Sequence, residues 1–287
     1  MSNKTSVFRK ILQSTAPGRL CRLLLACCLI VPFMTGLVDA KSKAKPTLFI
    51  IGDSTVRNGS KGIGDGGLWG WGKPIENYFD RDRINVENRA MGGTGSRSFL
   101  KTLWPPILAD MKKGDYLRLQ FGHNDNGDFR MGASPMRGSG DETETVTGRN
   151  GETETVLTYG GYLQEYVKQA QAKGVTCFIC SLVPRNRWTE DGKIVREEFA
   201  QWAKEAAEKC GAFFIPLNEI TAQKYEQMDE ATVKAKYFIN DWLHTNWDGA
   251  VVNAESVVTG LKGTKSKLKK YLLKGEIHPV DPRGGQY

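Results

Sequence analysis

Three residues whose types together support nucleophilic catalysis lie in two distant parts of this chain. Ser54 follows a short apolar run and offers a hydroxyl group. Asp241 and His244 are three positions apart, so one turn of the chain can direct both side chains the same way. The carboxylate can then hold one imidazole nitrogen while the other accepts the proton of a serine hydroxyl. This set predicts acyl transfer, with Ser54 as nucleophile, His244 as base and Asp241 as the residue that orients His244.

Two other residues can donate hydrogen bonds to a developing negative charge. Asn124 carries a side-chain amide, and Gly93 offers a backbone N–H that no side chain obstructs. With the N–H of Ser54 they form a predicted oxyanion hole. His123 is a competing base beside Asn124, but neighbouring side chains at a strand end point to opposite faces. If Asn124 faces the site, His123 is expected to face away from it.

The segment around Ser54 also has a purely structural interpretation. Residues 47–51 are apolar or β-branched without polar alternation, which predicts a strand buried on both faces. Gly52 permits a tight turn, and Asp53 and Ser54 are residue types that begin helices. Because Gly-Asp-Ser is a common tripeptide, helix capping would be the better interpretation if the motif stood alone. The Asp-x-x-His pattern downstream favours the nucleophile.

Five short apolar runs alternate with stretches of helical spacing along the chain. The predicted strands cover residues 47–51, 84–90, 116–121, 176–183 and 213–217. The predicted helices cover residues 74–79, 104–111, 162–172, 197–209, 219–236 and 247–261. This alternation predicts an α/β fold, with a five-stranded parallel sheet and helices on both faces. Polar clusters that follow the strands are then expected at the carboxyl edge of the sheet, where such folds bind ligands.

The composition is that of one ordinary globular domain. The 287 residues are 40% hydrophobic and 25% charged. No repeat or internal linker divides the part after residue 40, so 41–287 is predicted as a single domain. Residues 126–157 are polar, glycine-rich and too long for a simple connection, so they are either functional or mobile.

The first forty residues have the pattern of a secretory signal peptide. A start with five Lys or Arg residues precedes an apolar run over 23–38, and small residues end at Ala40. This predicts a signal peptide over 1–40 that is cleaved after Ala40. The alternative is a membrane anchor, but a run of sixteen residues that contains a proline is short for a membrane-spanning helix. Lipid attachment at Cys27 is the less favoured alternative, because Arg22 leaves almost no apolar run ahead of it.

Net charge and cysteine content indicate which classes of partner and cofactor to expect. The leader carries five basic residues and one acidic residue, so its removal lowers the formal net charge from +8 to +4. That excess fits an acidic polysaccharide, whereas no basic-aromatic pattern indicates nucleic acid. Cys177, Cys180 and Cys210 remain after cleavage and are expected as free, mostly buried thiols. With no second cysteine pair and three scattered histidines, neither a metal nor another cofactor is expected, and no membrane association is expected after cleavage.

Aromatic and cationic residues near the predicted site are candidate substrate contacts. Trp69 and Trp71 lie in a glycine-rich loop and either stack on a sugar or pack the loop onto the core. Arg137 and Arg185, together with Arg130 and Arg187, either pair with galacturonate carboxylates or are surface arginines without a ligand. Trp242 lies inside the Asp-x-x-His pattern and is expected to shape the acyl or sugar pocket.

These motifs resemble a known family when they are taken in order. Gly-Asp-Ser at 52–54, the glycine at 93, Gly-x-Asn-Asp at 122–125 and Asp-x-x-His at 241–244 are similar to the four blocks of the SGNH (GDSL-type) hydrolases. The chain most resembles the rhamnogalacturonan acetylesterases. The additional matches lie at 52–56, 70–72, 137–139, 154–160 and 241–245.

The resemblance implies a flavodoxin-like, three-layer α/β/α fold and the removal of acetyl esters from pectic polysaccharide. It assigns the nucleophile to Ser54, the base to His244 and the orienting acid to Asp241, with Ser54, Gly93 and Asn124 as the oxyanion hole. The chain differs from the family pattern at Trp242-Leu243, where relatives often have a polar residue between the Asp and the His. This difference leaves the exact substrate open. The alternatives are an esterase for another acetylated glycan such as xylan, or for a lipid, and a carbohydrate-binding protein without catalysis.

Overall fold

The fold was examined in a computed structural model that describes residues 44–148 and 151–284. The predicted signal peptide over 1–40, including Cys27, lies outside these residues. Within the described ranges, no helix has both the length and the apolar character needed to cross a membrane.

The centre of the molecule is the predicted five-stranded parallel sheet. The strands of the chain are β1 (Thr47–Gly52), β2 (Asn85–Asn88), β3 (Tyr116–Gln120), β4 (Thr143–Thr147), β5 (Thr153–Leu157), β6 (Thr176–Cys180) and β7 (Phe213–Ile215). The large sheet has the order β2-β1-β3-β6-β7, and every neighbouring pair is parallel. All residues of β1 and β3 are buried, because these strands have neighbours on both sides and helices on both faces.

Helices cover both faces of the sheet and make a three-layer α/β/α architecture. They are α1 (Ser96–Thr102), α2 (Trp104–Asp110), α3 (Tyr159–Ala172), α4 (Glu198–Cys210), α5 (Leu217–Tyr225), α6 (Glu230–Tyr237) and α7 (Trp247–Gly263), with 3₁₀ turns at Asp65–Gly67, Pro74–Tyr78 and Lys267–Tyr271. One core cluster joins the sheet to α1 to α4, and a second joins its other face to α7 and the turn Pro74–Tyr78. Cys177 and Cys180 are buried within these clusters, and Cys210 is half-buried; all three are free thiols, as predicted.

The structure differs from the predicted helices in three places. The predicted helix 74–79 is the 3₁₀ turn Pro74–Tyr78. The predicted helix 219–236 is two helices, because the chain turns after Tyr225 and α6 begins anew at a cap. There the side chain of Asp229 accepts a hydrogen bond of 2.9 Å from the N–H of Thr232, as acceptors at helix starts do. Helix α1 was not predicted, since its sequence Ser-Arg-Ser-Phe-Leu-Lys-Thr is short and contains only two apolar residues among seven.

The polar insertion 126–157 contains an antiparallel hairpin made of β4 and β5. It is fastened to α1 by Arg97, whose guanidinium bonds both carboxylate oxygens of Glu154 at 3.0 and 2.7 Å. The same guanidinium donates to the carbonyls of Phe129 and Ser134, both at 2.8 Å. Four of the five N–H donors of this buried guanidinium are thus used, so the insertion is an integral part of the fold.

Candidate active site

The sharp turn after β1 presents Ser54 at the carboxyl edge of the sheet. A side chain at Gly52 would lie 2.5 Å from the carbonyl oxygen of Gln120, so only glycine fits there. Asp53 caps the turn, since its Oδ1 accepts from the N–H and the hydroxyl of Thr55 at 2.9 and 2.7 Å. The Oγ of Ser54 takes no part in this cap and hydrogen-bonds His244 instead. Capping is therefore the role of Asp53, and the hydroxyl of Ser54 remains available for chemistry.

Ser54, His244 and Asp241 form one continuous hydrogen-bonded chain. The Oγ of Ser54 lies 2.9 Å from Nε2 of His244, and Nδ1 of His244 lies 2.7 Å from Oδ2 of Asp241. The other oxygen of Asp241 accepts from the N–H groups of Leu243 and His244, both at 2.7 Å. Partial burial raises the pKa of Asp241, but these hydrogen bonds outweigh it and hold the pKa below its usual value. A charged Asp241 can thus fix the tautomer of His244 that leaves Nε2 free to accept a proton.

Reciprocal backbone contacts hold the His244 segment against the segment that follows Ser54. The N–H of Trp69 donates to the carbonyl of Thr245 at 2.9 Å, and the hydroxyl of Thr245 donates to the carbonyl of Trp69 at 2.8 Å. Directly afterwards, the side chain of Asn246 caps α7 by accepting from the N–H of Gly249 at 2.9 Å. His244 is therefore positioned from both sides by ordered backbone.

The predicted oxyanion donors lie at the ends of the neighbouring strands. Gly93 has a φ of 76° and lines the same cavity as Ser54. Asn124 is exposed, and its Nδ2 donates to the carbonyl of Thr94 at 3.1 Å, which brings its amide beside Gly93 and leaves a second N–H. His123 is buried whereas Asn124 is exposed, in keeping with the expectation that their side chains face opposite ways. Burial and the nearby Arg185 and His244 hold the pKa of His123 well below its usual value.

A cavity of about 270 Å³ opens beside the hydroxyl of Ser54. Gly92 and Gly93 line it together with His244, and Ser60, Leu68 and Trp69 form the part of its lining that is called the cavity wall below. Leu68 and Trp69 make this wall largely apolar, whereas Asn124 is not among the residues that line the cavity. Such a space accepts a small acyl group whose carbonyl carbon faces Ser54.

The three candidate tryptophans differ in exposure and therefore in the role they can have. Trp71 is fully buried and its indole N–H donates to Oε1 of Gln120 at 2.8 Å, so of its two predicted roles the structure favours packing onto the core over stacking on a sugar. Trp69 is 4% exposed and packs edge-on against Trp247 with ring centroids 5.0 Å apart, so it forms cavity wall rather than an open platform. Trp242 is 57% exposed and can stack on a ligand.

Three of the four candidate arginines are paired with carboxylates. Nε of Arg185 lies 2.9 Å from Glu197, and Arg130 binds Glu144 through two nitrogens, both at 2.9 Å. Arg137 pairs with Glu198 and lies over the rings of Phe199 and Trp202. Their charges are thus largely compensated within the protein, whereas Arg187 is exposed.

Two buried carboxyl groups below the site were not singled out from the sequence. Burial raises the pKa of Asp53 to about 6 and, together with the charge of Asp53, raises that of Asp125 to about 7. Oδ1 of Asp125 accepts from the N–H and the hydroxyl of Ser96 at 2.7 and 2.9 Å, which ties β3 to the start of α1. Their adjacency to Ser54 and Asn124 in the motifs was the only signal available in the sequence.

Comparison with known proteins places this arrangement in a family. Residues 50–252 match the model of the GDSL-like lipase/acylhydrolase family. A rhamnogalacturonan acetylesterase of Emericella nidulans is 32% identical over 231 residues, which cover 78% of this chain and 87% of the relative.

Solved structures share the fold. The protein YxiM of Bacillus subtilis gives a TM-score of 0.62 at 24% identity, over 76% of this chain and 56% of that chain. An acetylxylan esterase of Geobacillus stearothermophilus gives a TM-score of 0.52 at 16% identity, over 75% of this chain and 94% of that chain. The chain therefore belongs to the GDSL-like lipase/acylhydrolase family, the SGNH hydrolases, and within it to the rhamnogalacturonan acetylesterase family of ester hydrolases.

Proposed function

We propose that this protein is a secreted carbohydrate esterase that removes acetyl groups from pectic rhamnogalacturonan through a Ser-His-Asp acyl-enzyme mechanism. The observation that carries the proposal is the hydrogen-bonded chain from Ser54 through His244 to Asp241, with separations of 2.9 and 2.7 Å. The substrate class rests on the name of the fungal relative, which is 32% identical to this chain.

In the first half of the reaction, Nε2 of His244 accepts the proton of Ser54 as Oγ attacks the acetyl carbonyl carbon. The carbonyl oxygen becomes negatively charged and accepts hydrogen bonds from the N–H groups of Ser54 and Gly93 and from the amide of Asn124. Asp241 stabilises the imidazolium that forms on His244. The intermediate collapses as the C–O bond to the sugar breaks, and the sugar oxygen takes the proton from His244.

The second half of the reaction releases acetate. A water molecule gives a proton to Nε2 of His244 and attacks the acetyl-Ser54 ester, and the same donors stabilise the second oxyanion. Collapse of that intermediate breaks the bond to Ser54, whose oxygen recovers its proton from His244. Every proton in the cycle passes through His244, so the proposed mechanism needs no metal or other cofactor.

An acidic, acetylated polysaccharide is the proposed substrate. Trp242 presents a 57% exposed indole next to Asp241, which suits stacking on a sugar ring. The carbonyl of Trp242 accepts from the N–H of Asn186 at 2.7 Å, so its loop is joined to the segment that carries the exposed Arg187. A stacking surface beside an exposed guanidinium is suited to a uronate-containing chain.

Secretion is the second part of the proposal. It rests on the basic start, the apolar run 23–38 and the small residues before residue 41. The full-length precursor should be expressed in a bacterial host and the exported protein analysed by mass spectrometry. A mature amino terminus at Lys41 supports signal cleavage, whereas an intact leader or a lipid on Cys27 contradicts it.

The direct test of the function is acetate release from acetylated rhamnogalacturonan, acetylated xylan and an aryl acetate, with Ser54→Ala as the control. Release from the pectic polymer that is lost in the variant is the expected result. Ser54-dependent release only from the aryl acetate or from xylan would contradict the substrate. No Ser54-dependent release, together with no labelling by a fluorophosphonate probe, would favour the carbohydrate-binding alternative.

A further inference from the structure

Arg57 makes an unusual set of contacts beside the nucleophile. It lies in the turn after Ser54, where its N–H donates to the carbonyl of Asp53 at 3.0 Å. Nε and Nη2 of its guanidinium donate to the carbonyl of Ser60 at 3.3 and 3.1 Å, and Nη1 donates to the carbonyl of Ala90 at 3.1 Å. All of these side-chain hydrogen bonds go to neutral oxygens, in contrast to the carboxylate pairs of Arg130, Arg137 and Arg185.

The two carbonyls belong to two different segments near the cavity beside Ser54. Ser60 lies in the cavity wall, and Ala90 lies in the segment that leads from β2 to Gly92 and Gly93. A Cβ placed on Gly92 would lie 3.6 Å from Cβ of Ser54 and 3.8 Å from Cδ of Arg57. The stem of Arg57 and the nucleophile therefore flank the same glycine, and the guanidinium joins the wall to the segment that carries the oxyanion donor.

The loop 59–69, which carries the cavity wall, is held partly by its own contacts. The carboxylate of Asp65 accepts from the N–H and hydroxyl of Ser60 at 3.1 and 2.6 Å, and from the N–H of Lys61 at 2.9 Å. These contacts keep the loop folded, while Trp69 is hydrogen-bonded to Thr245 and the carbonyl of Gly64 accepts from Nη1 of Arg283 at 2.8 Å. Arg57 adds the connection to Ala90, in the segment that leads to Gly92.

We propose that Arg57 is a positioning residue of the esterase, which fastens the cavity wall to the Gly92-Gly93 segment and favours the oxyanion through its positive charge. The inference rests on the proposed function of Ser54. Neutral carbonyl dipoles hold the guanidinium without cancelling its charge, so a positive field remains near the position of the oxyanion. A charge that is fixed before the reaction stabilises the transition state without reorganisation at the moment of attack.

Three substitutions of Arg57 distinguish the effect of its positive charge from the effect of its hydrogen bonds. Arg57→Lys keeps the charge, Arg57→Gln keeps N–H donors without charge, and Arg57→Met keeps neither. We expect kcat on an aryl acetate to fall about ten- to hundredfold in the Gln and Met variants, with a much smaller change in KM, and to stay within about fivefold of wild type in the Lys variant. The rate of Ser54 phosphonylation by a fluorophosphonate should follow the same order. Arg83→Met, at the opposite edge of the sheet before β2, is the matched control and should retain the wild-type rates.

Equal losses in all three variants with a lowered melting temperature would overturn the proposal, because they would indicate a merely structural role. Unchanged kcat and phosphonylation rates in the Gln and Met variants would also overturn it. The proposed function is judged separately, by whether wild-type acetate release and labelling depend on Ser54. Where wild type is labelled at Ser54 but does not hydrolyse acetyl esters, the phosphonylation order still tests Arg57.

Discussion

The Oγ of Ser54 and Nε2 of His244 lie 2.9 Å apart although 190 positions separate the two residues along the chain. Ser54 follows β1, the first strand along the chain, and His244 precedes α7, the last long helix. The contact is supported by the paired hydrogen bonds between Trp69 and Thr245 at 2.9 and 2.8 Å. Ser54 and His244, the proposed nucleophile and base, are thus in hydrogen-bond contact without a substrate, and substitutions at this site should alter turnover more than folding.

Asp241→Asn is expected to lower kcat by about three to four orders of magnitude, because an amide would favour the wrong tautomer of His244. The asparagine oxygen can still accept from the N–H groups of Leu243 and His244, so the turn should be preserved. Steady-state hydrolysis of an aryl acetate measures the effect, and a melting temperature close to wild type is the control. A kcat within tenfold of wild type would show that Asp241 does not orient His244.

Asn124→Ala is expected to lower kcat by about a hundredfold or more, with little effect on stability, because it removes one oxyanion donor. Asn124 is exposed, and its side chain contributes a single hydrogen bond to the carbonyl of Thr94. Asn126→Ala, two residues along and also exposed, is the control that should retain turnover. Equal kcat values for the two variants would remove Asn124 from the oxyanion hole.

Gly64→Ala should displace Trp69 from the cavity wall. A Cβ at Gly64 would lie 2.1 Å from Cζ2 of Trp69, whereas a Cβ at Gly66 would meet nothing within 4 Å. The two glycines have similar φ angles of 71° and 65°, so alanine at either position introduces comparable backbone strain. We expect Gly64→Ala to cost about 1 to 3 kcal/mol more unfolding free energy than Gly66→Ala and to reduce esterase activity further. Urea unfolding and aryl acetate hydrolysis measure both effects, and indistinguishable variants would contradict the prediction.

Trp242→Ala is expected to raise KM for the acetylated polysaccharide about three- to tenfold, since an indole that stacks on a sugar contributes about 1 kcal/mol. Hydrolysis of the small aryl acetate should stay close to wild type, because it does not need the stacking surface. The indole is 57% exposed, so little stability should be lost. A parallel loss of activity on polymer and aryl acetate would indicate that the substitution disturbs Asp241 instead.

The buried carboxyl groups predict how stability depends on pH. Burial raises the pKa of Asp53 to about 6 and contributes to a pKa of about 7 for Asp125, against 3.8 for an ordinary aspartate. The folded state therefore binds these protons more tightly than the unfolded state does. Their stabilising contribution is complete below pH 3.8 and is lost as pH rises through 6 and 7, so these groups lower the free energy of unfolding between pH 5 and pH 8.

Asp125→Asn tests this pH dependence, because an amide keeps an acceptor for the hydrogen bonds from Ser96 and cannot ionise. Unfolding in urea at pH 5 and pH 8 should show a smaller loss of stability in the variant than in wild type, by about 2 kcal/mol. The same loss in both proteins would mean that Asp125 does not carry the effect.

The sequence by itself determined the sheet and the positions of the reactive groups. An apolar run without polar alternation required β1 to be buried on both faces, and the strand–helix alternation required a parallel sheet. A parallel sheet brings the carboxyl ends of its strands to one edge, so Ser54, Gly93 and Asn124 could be assigned to one site from their positions after strands. The spacing of Asp241 and His244 is likewise local, because one turn of chain determines it.

Only the tertiary structure decided which side chains are exposed and unpaired enough to contact a ligand. Trp71 and Trp242 are the same residue type in polar loops. Trp71 is nevertheless fully buried and hydrogen-bonded to Gln120, whereas Trp242 is exposed. Three of the four candidate arginines proved to be paired with carboxylates, and Arg57, which the motifs did not mark, holds the cavity wall through Ser60 and Ala90. Burial and pairing depend on partners that are distant along the chain, and local residue patterns carry no information about those partners.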